Sequence, residues 1–123
     1  GRNYGWPNVN GPCDGTETSF CTTNNIAQPI WSSGASTVAT AGMDYYNNSR
    51  IPAWNNSILM TTLKDATLYQ LKLNSAGTAV ESVTQFYRGN WGRLRDVCIS
   101  PAGRVYICTS NGGGNDRIIE IQN

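Results

Sequence analysis

The sequence predicts an all-β fold. Short runs of apolar, aromatic and β-branched residues recur from Val38 to the end of the chain, each closed off by Gly, Pro, Asn or Ser. Four Trp and six Tyr stand beside abundant Asn, Ser, Thr and Gly, while Asp, Glu, Lys and Arg make up only 14% of the chain. No helix start is followed by a sustained 3.6-residue apolar period.

Residues 1–36 are rich in Gly, Pro, Asn and Thr and show no period, so they are expected to form a long ordered loop. A loop of that length in a compact domain points to function. Strands are expected at 38–46, 57–63, 67–73 and 80–87, separated by the turn residues Asn47 to Pro52, Lys64 to Ala66 and Asn74 to Gly77. A second series follows at 96–100, 104–109 and 117–121. Its first two strands form a hairpin around Pro101-Ala102-Gly103.

Four consecutive strands and then three more suggest up-and-down β-propeller blades, one complete and one lacking its outermost strand. The expected organisation is a rim loop (1–36), a complete blade (37–88) and an incomplete last blade (89–123). A small sandwich of seven strands is the alternative architecture. In the propeller reading the loop after residue 63, the connection 88–95, the loop 110–116 and residues 1–36 all share one rim.

The net charge of +1 gives no electrostatic basis for binding nucleic acid or a membrane surface, and no apolar run is long enough to span a bilayer. The four cysteines do not have CxxC spacing and the chain contains no His, which argues against a structural zinc site. Cys13 and Cys21 bracket a polar loop, and a disulfide there would gain from loop closure. Such a bond belongs in an oxidising compartment, the periplasm or the exterior. Cys98 and Cys108 flank the hairpin and are expected close together on adjacent strands, as buried thiols or as a pair.

Three blocks, in order along the chain, carry a resemblance. Asn3-Tyr4-Gly5-Trp6-Pro7 resembles a signature of the soluble quinoprotein glucose and aldose sugar dehydrogenases. Leu63-Lys64 followed by Thr67 to Leu73 is similar to the strand on which that family carries a cofactor lysine. Gly92-Arg93-Leu94-Arg95-Asp96-Val97, with Ser100 to Tyr106, is similar to its R-x-R-D-V segment and the hairpin that follows. The chain departs from the family pattern at Ala102, where an acidic residue is usual, and near Ala35, where some members have Trp-Pro.

The resemblance implies the C-terminal part of a six-bladed β-propeller that oxidises sugars with pyrroloquinoline quinone (PQQ). It implies that Lys64, Arg93 and Arg95 bind the cofactor. The chemistry agrees, because the quinone is flat and carries three carboxylates, and a guanidinium can hold a carboxylate by two bonds or stack on a ring. Two residues apart on a strand, Arg93 and Arg95 would share a side. The family's calcium use implies Tyr4, through its carbonyl, and Asp14 as metal ligands. Its general base is a histidine, so no catalytic residue is assigned to this chain. Asp96 is expected to have a structural part.

The alternative function is a non-catalytic propeller module of the same superfamily that binds a protein or a glycan. Expected partners are a sugar and the remainder of the parent propeller or copies of this chain, with neither nucleic acid nor membrane. A six-bladed ring needs roughly three times this length. Leu59, Leu68, Leu71, Ile99, Val105, Ile107 and Ile119 are therefore expected to need cover from another polypeptide.

Overall fold

The computed structural model of the chain describes residues 1–122 and divides them into two compact units, Gly1–Ser36 and a second running from Thr37 onward. In the first unit Asn3, Gly5 and Val9 build a tight turn. The Asn3 side-chain oxygen accepts the Gly5 N–H at 3.0 Å, and the Gly5 carbonyl accepts the N–H groups of Asn8 and Val9 at 2.8 and 3.0 Å. Gly5 has φ +88°, and a Cβ there would lie 2.7 Å from that of Val9, so a side chain is excluded twice over.

The expected long ordered loop contains a 3₁₀ turn, Gly15–Glu17, running into a helix, α1 (Thr18–Thr23). Six residues are too few to show an apolar period or to stand on helix propensity. Local ties hold α1 instead. Its Cys21 is buried and bonded to Cys13, and Asn24 donates both its backbone N–H and its side-chain amide to the Phe20 carbonyl.

The second unit is two antiparallel sheets, consistent with partial propeller blades. Strands β1 (Thr40–Tyr46), β2 (Ser57–Thr62), β3 (Leu68–Leu73) and β4 (Val80–Phe86) pair in sequence order. Strands β5 (Leu94–Ile99), β6 (Val105–Thr109) and β7 (Ile118–Ile121) form the second sheet. β1 begins at Thr40 because Ala39 has φ +54°, outside the range of an extended strand. β5 begins two residues earlier than expected, and both differences bear on the site.

β1 and β5 lie side by side. Asp44 on β1 accepts the Ile99 N–H on β5 at 2.9 Å. Strand alternation then sends Tyr46, Leu59 and Leu68 from one sheet, and Val97, Val105 and Ile107 from the other, into a common core. Each such side chain, fully buried, contributes roughly 1.5–3 kcal/mol. Five of the seven apolar residues expected to need another polypeptide find cover inside this chain, and Ile99 and Ile119 are only partly covered. Leu59, Leu68, Val105 and Ile107 are fully buried, Leu71 is 5% exposed, and Ile99 and Ile119 pack against the core. The large apolar side chains left open in this unit are Met43, Tyr45, Val83 and Ile118.

Tyr46 links the two sheets. Its buried hydroxyl accepts the Ile51 N–H and donates to the Gly103 carbonyl, both at 3.0 Å. From it a chain of ring contacts runs through Trp54, Phe86 and Tyr87 to Trp91, with centroids 6.2, 5.2, 6.0 and 4.9 Å apart.

Candidate functional site

One end of the two sheets gathers cations, and backbone bonds show why. The β2–β3 turn closes tightly, because the Thr62 hydroxyl donates to the Thr67 carbonyl at 2.9 Å and accepts the Thr67 N–H at 3.0 Å. This projects Lys64 at the turn, exposed. The segment leading into β1 lies alongside, with Val38 and Ala39 carbonyls accepting the N–H groups of Lys64 and Leu63 at 3.2 and 2.9 Å. The β4–β5 connection meets the same turn where Gly89 N–H donates to the Ala66 carbonyl at 2.9 Å. Farther along that connection, the Arg93 carbonyl accepts the Ser110 N–H of the β6–β7 loop at 2.9 Å. Lys64, Arg93 and Arg95 therefore stand on segments at one end of this unit.

Arg95 sits in a β-bulge. Leu94 pairs with Thr109 but Asp96 with Cys108, so one residue, Arg95, is extra. The bulge allows Leu94 and Val97, three apart, both to be buried while Arg95 and Asp96 are exposed. Arg93 and Arg95 are both exposed on either side of buried Leu94, as alternation from their spacing leads one to expect, and the bulge breaks that alternation only beyond Arg95. Arg93 is fixed through its backbone N–H, which donates to the Asn111 side chain at 2.9 Å, and Arg95 donates weakly to the Ser110 hydroxyl at 3.4 Å. Asn111 also donates to the Trp91 carbonyl at 2.8 Å. A Cβ on Gly92 would strike the Asn111 side chain at 2.2 Å.

β1 matches this with an irregularity of its own between Thr40 and Met43. There the Thr61 hydroxyl both accepts the Gly42 N–H and donates to the Gly42 carbonyl, at 3.1 Å each. The two irregular stretches meet, and an open hollow lined by Ala41, Gly42, Arg95 and Asp96 lies between them.

Three carboxylates share this end, and each is engaged. Asp96 accepts the Val97 N–H at 2.9 Å, the structural part expected of it. Asp116 takes the N–H groups of Asn111 and Gly112 and the Thr109 hydroxyl. These bonds, the one from Asn111 foremost, hold its carboxyl below the usual range, and the positive charge of Arg93 adds to them. Asp65 accepts the Tyr69 hydroxyl at 2.6 Å and an Arg88 guanidinium N–H at 2.7 Å. Its pKa is lowered, chiefly by the Tyr69 hydrogen bond, with Arg88 assisting. Burial first, and then this carboxylate, push the Tyr69 hydroxyl up to about 12. Among the described residues the ion pairs are Arg88–Asp65 and Arg104–Glu120, so Lys64, Arg93 and Arg95 are in no ion pair, although the charge of Arg93 is felt by Asp116.

The residues suggested for a metal lie in the first unit. Tyr4 and Asp14 are exposed, and the Asp14 side chain does not cap the turn that follows it. One carboxylate and one carbonyl fall well short of the six to eight oxygens calcium takes, so these two do not by themselves make a site. Among the described residues no group of three or more His, Cys, Asp or Glu gathers as metal ligands would. The Cys13–Cys21 disulfide is present, and Cys98 and Cys108 are free. Cys98 pairs with Tyr106 and Cys108 with Asp96, so the two thiols share a face on diagonal positions. Sequence reasoning missed Arg88, Asn111 and Asp116. The one hint was their location, within the loops expected at that rim.

Comparison with known proteins decides the family. A profile of the glucose/sorbosone dehydrogenases matches residues 1–120. The chain belongs to the glucose/sorbosone dehydrogenase family. Among curated relatives of this glucose/sorbosone dehydrogenase chain, the aldose sugar dehydrogenase YliI of Escherichia coli is 27% identical over 121 residues, 93% of this chain and 31% of that protein. The quinoprotein glucose dehydrogenase B of Acinetobacter calcoaceticus is 31% identical over 81 residues, 63% of this chain and 17% of that protein. The PQQ-bound aldose sugar dehydrogenase of Streptomyces coelicolor superposes with a TM-score of 0.68 at 31% identity, covering 98% of this chain and 33% of that structure. The soluble aldose sugar dehydrogenase of Escherichia coli in its apo-form shares the fold, with a TM-score of 0.66 at 23% identity over 98% of this chain and 34% of that structure. The chain spans about a third of the length of the Escherichia coli and Streptomyces coelicolor proteins it matches.

Proposed function

We propose that this chain is the cofactor-gripping part of a PQQ-dependent sugar dehydrogenase. In this reading the two sheets are blades of a six-bladed propeller, divided into a segment 1–36, a complete blade 37–88 and an incomplete last blade 89–123. The observation that carries the proposal is the set of three cations, Lys64, Arg93 and Arg95, outside any ion pair at one end of the two sheets. A flat tricarboxylate is the complementary ligand. Arg93 and Arg95 suit it through two-pronged bonds or stacking, and Lys64 through a point charge to a carboxylate or a quinone oxygen. When bound, the quinone supplies the acceptor for the hydride that leaves the sugar.

The residues of this chain bind and orient. Asp65, Asp96 and Asp116 are occupied by local bonds and are not poised to take a proton from a substrate. The base belongs to the rest of the parent protein, as does any calcium site to which Tyr4 and Asp14 contribute. The Cys13–Cys21 bond supports a periplasmic or extracellular setting. Among the described residues no helix is long and apolar enough to cross a membrane.

The test is titration of the full-length protein with PQQ, followed by dye-linked oxidation of a panel of aldoses. Saturable binding and sugar-dependent dye reduction are expected. Failure to bind the quinone under conditions where the protein is folded would overturn the reading.

A further inference from the structure

Lys64 and Asp65 are neighbours in sequence on the β2–β3 turn, so Asp65 is the carboxylate nearest to the lysine along the chain. The structure shows the carboxylate turned to other partners. One Asp65 oxygen accepts the Tyr69 hydroxyl at 2.6 Å and the other accepts Arg88 at 2.7 Å. The backbone is pinned as well, since the Asp65 N–H donates to the Val38 carbonyl at 3.3 Å and its own carbonyl accepts the Thr67 hydroxyl at 2.7 Å. Arg88 reaches across from the β4–β5 connection, which the Gly89–Ala66 bond holds against this turn. The Arg88 side chain is 67% exposed against 15% for Asp65, so removing the guanidinium leaves no cavity and only releases the carboxylate.

We propose that Arg88 and Tyr69 act as positioning residues that hold Asp65 away from Lys64, so that the lysine's charge stays uncompensated and available to an anionic ligand. The inference rests on the reading of Lys64 as a contact to the quinone carboxylates. Arg88 is then a cation of the rim that does not touch the ligand. It acts by binding the carboxylate that would otherwise compete for Lys64.

The test uses the full-length protein, with Arg88→Gln, Tyr69→Phe and the double variant Asp65→Asn/Arg88→Gln. Exposed ion pairs set the scale of the effect, so R88Q is expected to weaken PQQ binding about two- to fivefold. The double variant, with no carboxylate left to release, is expected to return to the parent affinity. A direct contact between Arg88 and the ligand predicts loss without rescue, and that result would overturn the proposal, as would an R88Q variant that binds like the parent. Y69F keeps the ring in place and should weaken binding in the same direction. A second measurement needs no cofactor: the rate of Lys64 acetylation by an N-hydroxysuccinimide ester, read by mass spectrometry. It should fall about two- to fivefold in R88Q, as Asp65 pairs with the amine, and recover in the double variant. If the parent protein does not bind PQQ, the proposed function fails, and the acetylation rates alone decide this inference. Equal rates in all variants would refute it.

Discussion

Gly42→Ala tests whether the two irregular strands build the site together. A Cβ on Gly42 would lie 1.9 Å from the Asp96 side-chain oxygen and 2.7 Å from the Asp96 Cα. The carboxylate can swing aside only by giving up its 2.9 Å bond to the Val97 N–H. The backbone has no such freedom, and reaching ordinary carbon–carbon separation requires β5 to retreat by about 0.8–1.3 Å. Overpacking of this kind costs about 1–3 kcal/mol. The displaced segment includes Arg95, and a shift of about 1 Å in a positioning group can cost up to about a hundredfold in function. Urea denaturation and PQQ titration of the full-length variant measure the two effects. A lower urea midpoint and an affinity weaker by about tenfold or more are expected. A variant with unchanged midpoint and unchanged affinity would refute the argument that the β1–β5 approach shapes the site.

Four further predictions follow from the same geometry. Tyr46→Phe removes a buried hydroxyl serving both the Ile51 N–H and the Gly103 carbonyl, and should lower stability by about 1–3 kcal/mol in denaturant unfolding. Arg95→Ala should weaken PQQ binding about tenfold or more, as expected for a charge-assisted bond, and should reduce its salt dependence. A maleimide should label two thiols, Cys98 and Cys108, in the denatured unreduced chain and four after reduction, because diagonal strand neighbours lie about 7–8 Å apart, too far to bridge. Tyr69 should ionise near pH 12, well above the ordinary tyrosine value of 10.0, in an absorbance titration at 295 nm. Its raised pKa gives stability that is complete below the ordinary tyrosine value of 10.0 and lost as pH climbs through about 12. The lowered pKa of Asp65 acts in the opposite sense, giving stability present above 3.8 and lost as pH falls through the lowered value. Asp65→Asn should therefore bring the Tyr69 transition to lower pH.

Strand order and turns were legible in the sequence because they are local. The apolar runs at 57–63 and 67–73, closed by turn residues, and the Pro101-Ala102-Gly103 hairpin declare themselves within a few residues. Observed strands depart from those bounds by two residues at most. Lys64, Arg93 and Arg95 were singled out by the blocks around them, and Cys13 with Cys21 was legible through the loop they close.

What tertiary structure alone decided is where one sheet meets the other. The bulge at Arg95 has no local signature, because it answers the need to bury Leu94 and Val97 together against the first sheet. Gly42 reads as an ordinary strand glycine until Asp96 is seen pressed against it. The pairing of Arg88 with Asp65 spans 23 residues and depends on how the β4–β5 connection folds back over the β2–β3 turn. α1 was invisible because a six-residue helix held by a disulfide and one asparagine leaves no period to read. Short-range propensity and turn chemistry write the strands into the chain. Contacts between residues far apart in sequence decide which charges are neutralised and which remain for a ligand.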